Sequence, residues 1–146
     1  MTVALPDLAA TAVLGAAIAG RLAPGDAVLL KGDLGSGKTT LARAILAALG
    51  VTENVPSPTF TLVQAYETPR LMVSHFDLYR LKRDSELEEL GLEDALDRGA
   101  ALIEWPERAE TRLPADALIA QLGADRERRA VLEGPPRWKA LEQAYV

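Results

Sequence analysis

The sequence predicts an α/β fold: a mixed sheet that includes an antiparallel hairpin, flanked by helices, with residues 1–146 forming a single domain. Short apolar runs bounded by turn residues alternate with helical stretches, as buried strands and their connecting helices do. One of these runs, Ala27-Val28-Leu29-Leu30-Lys31, passes directly into a glycine-rich stretch and then a helical one. The length of 146 residues suits one compact core, a chain of this size burying about two-thirds of the surface its unfolded form exposes.

Residues 8–19 read as an Ala-rich helix capped by Asp7, whose carboxylate can accept amide hydrogens of the first turn. Pro24-Gly25-Asp26 ends that element, and residues 27–31 form a buried strand. A helix runs over residues 39–49 up to Gly50, a good residue to follow a helix end. Asn54-Val55-Pro56-Ser57-Pro58 is a loop, because alternate prolines remove backbone donors and push their predecessors out of the helical region. Residues 60–66 and 71–79 read as two strands joined through Thr68-Pro69 into an antiparallel pair. Residues 85–96 read as one acidic amphipathic helix, with Leu87, Leu90 and Leu92 toward the core. Residues 100–105 form a strand stopped by Pro106, residues 117–122 and 128–133 are further strands, and residues 137–145 a closing helix.

Composition narrows the function. Hydrophobic residues make up 49% and charged residues 25%, ordinary globular usage. The formal charge of -5 argues against a broad nonspecific grip on nucleic acid, so any RNA contact is expected to be indirect or local. Without cysteine there are no disulfides, thiolate zinc sites or cysteine nucleophiles. The apolar stretch 8–19 has no Lys or Arg before it and is shorter than the ~20 residues of a membrane span, so neither signal peptide nor membrane anchor is expected and residence is expected in the cytoplasm.

The chemistry concentrates in Gly32-Asp33-Leu34-Gly35-Ser36-Gly37-Lys38-Thr39, with Thr40 beyond it. Glycine, four arbitrary residues, then Gly-Lys-Thr lets a backbone wrap phosphate oxygens with its amide hydrogens turned inward. Lys38 can reach the outer phosphates, and the Thr39 hydroxyl can ligate Mg²⁺ at the positive end of the following helix. With glycine near 7% of residues, four fixed positions match by accident in roughly one chain in several hundred, and the strand-loop-helix context lowers that further. This is a P-loop, and the fold is that of a P-loop NTPase. No Asn-Lys-x-Asp guanine-reading sequence occurs, which favours ATP over GTP.

Asp77 ends an apolar strand, the usual place for the Mg²⁺-associated carboxylate of a P-loop enzyme. Strand alternation puts His75, Asp77 and Tyr79 on one face; His75, the single histidine, reads as a hydrogen-bonded core residue. Thr59 lies some twenty residues beyond Lys38, where nucleotide switch loops bring an oxygen to the metal. Glu104 ends the run Ala101-Leu102-Ile103 and can hold metal or position a water. Trp105 reads as packing beside it, and Arg126, Arg128 and Arg129 as a solvated face.

Taken together, the P-loop, Ser57-Pro58-Thr59-Phe60-Thr61-Leu62-Val63, His75-Phe76-Asp77-Leu78-Tyr79-Arg80 and Ile103-Glu104-Trp105-Pro106 resemble the TsaE family over roughly residues 8–122. The resemblance implies a small bacterial ATPase required for threonylcarbamoyladenosine in tRNAs that read codons beginning with A. It implies action through a heterodimer of TsaD, which transfers the group, and its paralogue TsaB. Carried onto this sequence, it implies phosphate contact by Lys38, nucleotide binding by Asp33 through Thr40, a Mg²⁺ and hydrolytic site of Thr39, Asp77 and Glu104, and a switch-loop role for Thr59. The flanking sequence does not align Thr11 or the arginines near position 128. Two rivals stand beside this reading: a small-metabolite kinase that closes Arg80-Leu81-Lys82-Arg83 over phosphate, and a docking switch in which hydrolysis is incidental.

Overall fold

The computed structural model describes residues 1–53, 55, 62–123 and 127–145. The chain begins with strand β1 (Thr2–Ala4), helix α1 (Leu8–Ala19), strand β2 (Ala27–Lys31) and helix α2 (Lys38–Ala48). Strands β3 (Val63–Glu67) and β4 (Met72–Asp77) follow, then helices α3 (Glu86–Glu89) and α4 (Leu92–Arg98) and strand β5 (Gly99–Glu104). Two 3₁₀ turns, Pro106–Arg108 and Glu110–Arg112, lead to β6 (Leu118–Gly123), β7 (Arg129–Glu133) and a closing 3₁₀ helix, Pro136–Tyr145.

The described strands form one seven-stranded sheet in the order β1-β7-β6-β2-β5-β4-β3. Its centre is parallel, β6, β2, β5 and β4 running together, while β3, β7 and β1 join antiparallel. The centre carries the apolar runs that burial on both faces demands, every residue of β5 being buried. One face, with Val28, Leu30, Val73 and Leu102, packs under α1 and α2 against Leu14, Ile18, Leu41 and Ile45. The other, with Leu29, Phe76 and Ile103, packs against Leu87, Leu92 and Ala109. No helix among the described residues is long and apolar enough to cross a membrane.

The expected elements are present, with adjustments of physical origin. Asp7 caps α1, its Oδ1 accepting the Ala10 N–H at 2.8 Å. The hairpin β3–β4 is antiparallel and pairs Ala65 with Ser74; the residues Phe60 and Thr61 placed in its first strand by sequence lie outside the described residues. The acidic helix expected over residues 85–96 is instead two short helices broken at Gly91, which stands at φ 81. Leu87 and Leu92 are both buried, yet five residues span about 140° of a helix surface. The break lets both reach one core. The closing helix is 3₁₀, and β1, three residues long with one inward side chain, was not expected.

Candidate functional site

The four parallel strands end on one edge, where α/β sheets hold their ligands. β2 runs there into the loop Gly32 to Gly37, in which Gly32, Gly35 and Gly37 all have positive φ (145, 80 and 105). A Cβ on Gly32 would also lie 2.4 Å from Ser36 Oγ and 2.7 Å from the Leu122 carbonyl oxygen, so no other residue fits. Gly37 caps α2 with no side-chain hydrogen bond, leaving the amide hydrogens of the first turn for an anion. Ser36 Oγ is buried without a hydrogen-bond partner among the described residues. An orphaned hydroxyl beside a helix N-terminus fits a phosphate-bearing ligand.

Lys38, the first residue of α2, is 5% exposed. Its Nζ donates to the carbonyl oxygens of Gly32 at 2.5 Å and Asp33 at 3.0 Å and lies 3.9 Å from the centre of the Trp105 ring. Burial lowers its pKa from the ordinary lysine value, and the carboxylates of Glu104, Glu107, Asp77 and Asp33 oppose that shift. A buried ammonium held by carbonyls and an aromatic face is suited to a concentrated negative charge such as a polyphosphate.

The next residue, Thr39, reaches across to β5: its Oγ1 donates to Glu104 at 2.8 Å from Oε1 and 3.0 Å from Oε2. Glu104 pairs in register with Asp77 on β4, and the two carboxylates are 3% and 5% exposed. Asp77 Oδ1 accepts the Tyr79 N–H at 3.0 Å. A hydroxyl and two carboxylates from three elements are hard oxygen donors, too few to cage a metal alone but fitting Mg²⁺, which keeps waters and phosphate oxygens in its shell. His75, fully buried as expected of a core residue, has its Nε2 2.6 Å from Glu104 Oε2.

These side chains open on a cavity of about 320 Å³ lined by Leu34, Lys38, Thr39, Asp77, Glu104 and Trp105. A second of about 320 Å³ shares its Gly37, Thr40 and Arg128 and is walled by Leu5, Thr11 and Ser36. A larger one of about 520 Å³, beside α3 and α4 and lined by Leu87, Leu96 and Leu113, holds none of these groups. The first cavity therefore gathers Leu34, Gly35, Gly37, Lys38, Thr39, Thr40, Asp77 and Glu104, the second adds Ser36, and Asp33 lines neither, meeting the site through its carbonyl on Lys38; Thr59 lies outside the described residues, as does Arg126. Thr11 and Arg128, which no motif marks in the sequence, come together from the start of α1 and the approach to β7.

Tyr79 departs from expectation. β4 ends at Asp77, and Tyr79 is 46% exposed, its ring tilted at 51° to that of Trp105 with ring centres 4.9 Å apart. Trp105, read from sequence as packing, covers Lys38.

A family model described as "Threonylcarbamoyl adenosine biosynthesis protein TsaE" matches residues 5–131. The chain is 49% identical over 87 residues to the tRNA threonylcarbamoyladenosine biosynthesis protein TsaE of Rickettsia prowazekii, a match spanning 59% of this chain and 60% of that protein. It is 46% identical to the protein of the same name from Rickettsia bellii over 73% of this chain and 74% of the relative. The crystal structure of Bacillus subtilis YdiB superposes with a TM-score of 0.81 at 29% identity, covering 99% of this chain and 93% of that one.

Proposed function

The chain belongs to the TsaE family, and on that premise we propose that it is a Mg²⁺-dependent ATPase supporting threonylcarbamoyladenosine formation in tRNAs that read codons beginning with A. It acts through the TsaD–TsaB transferase and does not itself transfer the group. The observation that carries the hydrolytic part is the Thr39–Glu104 contact, which brings the P-loop hydroxyl and a buried carboxylate together beside Lys38.

In this reading the amide hydrogens at the start of α2 cradle the phosphates, and Lys38 Nζ leaves the Gly32 and Asp33 carbonyls for the outer phosphate oxygens. Thr39, Asp77 and Glu104 would hold Mg²⁺, which when bound would supply positive charge to the phosphoryl oxygens. Glu104, on the floor of the cavity, orients the water that attacks the terminal phosphorus, and the bond to the bridging oxygen breaks to give ADP and phosphate. The second cavity, with Thr11 and Arg128, has the room and position to take the rest of the nucleotide.

Calorimetric titration tests the nucleotide. Mg²⁺-ATP or ADP should bind more tightly than the guanine nucleotides, and Lys38→Ala should weaken binding by about tenfold or more, a loss on the scale of a charged hydrogen bond. Equal or tighter GTP binding would overturn this choice of nucleotide.

A further inference from the structure

His75 is the single histidine of the chain, sits in the interior of β4 and is completely buried. Its ring spends its hydrogen bonding in one place. Nε2 lies 2.6 Å from Glu104 Oε2, and Nδ1, also buried, has no partner among the described residues. A carboxylate oxygen only accepts, so Nε2 carries the proton.

The carboxylate it holds is the one that meets the P-loop. Thr39 binds both Glu104 oxygens from the phosphate side, and His75 binds one of them from the sheet. The terminal torsion of a glutamate is broad, so a carboxylate gripped from one side can still swing about that grip. The second contact, from a side chain locked in the sheet, fixes the plane. His75 and Asp77 lie two residues apart on one face of β4, and Asp77 pairs with Glu104 across the β4–β5 register. The sheet thus sets both the acidic pair and the imidazole behind it.

We propose that His75 is a positioning residue: it donates from Nε2 to Glu104 and orients that carboxylate toward the Mg²⁺ and the attacking water. This deepens the function proposed above and rests on it. An outer partner of a metal-binding carboxylate that is removed costs about tenfold to a hundredfold in metal affinity or activity.

Two substitutions separate positioning from filling. His75→Gln keeps an amide N–H near the reach of imidazole Nε2, whereas His75→Asn retracts it toward the Nδ1 position. Mn²⁺ serves as the probe, its binding to the ADP-loaded chain read by electron paramagnetic resonance alongside steady-state ATP hydrolysis. His75→Asn should lose about tenfold or more in Mn²⁺ affinity and kcat, with KM for ATP nearly unchanged, and His75→Gln should recover most of both. Equal behaviour of the two variants, whether both impaired or both intact, overturns the positioning role while leaving the ATPase reading standing. A wild-type chain that binds no Mn²⁺ with ADP overturns both.

A third measurement needs no variant. With ¹⁵N-labelled histidine the lone imidazole gives one pair of ring nitrogen signals, which should show Nε2 protonated and a shift when Mg²⁺ joins ADP. A ring without a proton on Nε2, or signals blind to Mg²⁺, would sink the proposal even if both variants failed to fold.

Discussion

Trp105 stands at φ 57, a left-handed conformation for a bulky side chain immediately after a buried strand. Such a residue costs on the order of 1–3 kcal/mol, and the surroundings must hold it there. Here Pro106 starts the next turn, and the ring lies between Lys38 and Tyr79. The strain turns the indole over the P-loop lysine, where sequence alone suggested only packing. Adjacency of Glu104 and Trp105 was legible, but the backbone reversal that aims the ring was not, because nothing in Glu-Trp-Pro specifies a positive φ. Nucleotide that draws Lys38 toward phosphate removes a cation from the ring face, so Trp105 fluorescence should change on binding. The other tryptophan, Trp138, is 4% exposed, and its buried Nε1 has no hydrogen-bond partner among the described residues. Trp138→Phe removes that orphan and leaves Trp105 as the single reporter. No fluorescence change in this variant at saturating ATP would contradict the placement of Trp105 at the phosphate site.

Among elements, those whose chemistry is local were the legible ones. The P-loop binds with contiguous backbone, so its eight residues carry their own signal; the helix break at Gly91 and the strand β1 depend on partners distant in sequence. β1 exists because Thr2, Val3 and Ala4 pair with Val131, Ala130 and Arg129, a register no three-residue window reveals. The contact between His75 and Glu104 is likewise nonlocal, spanning 29 positions. Helix α1 shows the same limit in its packing. Gly15 looked like one small residue in an Ala-rich helix, yet a Cβ there would lie 2.6 Å from Ala44 Cβ and 2.8 Å from the Ala44 carbonyl carbon. Gly15 therefore sets how closely α1 approaches α2, the helix that presents Lys38 and Thr39. Gly15→Val should destabilise by about 1–3 kcal/mol through overpacking. Gly20 is the internal control: it ends α1 at φ -64, and a Cβ there meets carbonyl oxygens of its own helix no closer than 3.4 Å. Gly20→Ala should be neutral or stabilise by about 0.4–1 kcal/mol. Urea unfolding midpoints compare the two, and equal shifts would refute the close-packing account.

At the scale of the whole molecule, the site faces outward from the ends of the parallel strands, and its supply of positive charge is limited. Lys38 and Arg128 are the described cations lining the phosphate cavity, and Arg128 stands on an exposed segment. Lys38 already sits among four carboxylates. Phosphoryl transfer depends on positioned charge around the terminal phosphate, and in related chemistry a cation supplied by a partner is worth on the order of 10³–10⁵ in rate. With a formal charge of -5, the chain is poorly suited to recruit tRNA directly, so the proposed function assigns completion of the site to a protein surface, that of TsaD and TsaB. The isolated chain should accordingly hydrolyse ATP slowly, and adding both partners should raise steady-state turnover by about tenfold or more. Glu104→Ala should abolish the rise while leaving nucleotide binding, since Lys38 and the amides of α2 remain. The same variant, placed in a reconstituted tRNA modification assay, separates turnover from docking: a Glu104→Ala chain that still supports modification would reassign the protein as a nucleotide-dependent docking switch. Rapid hydrolysis by the lone chain, unchanged by TsaD and TsaB, would refute partner completion.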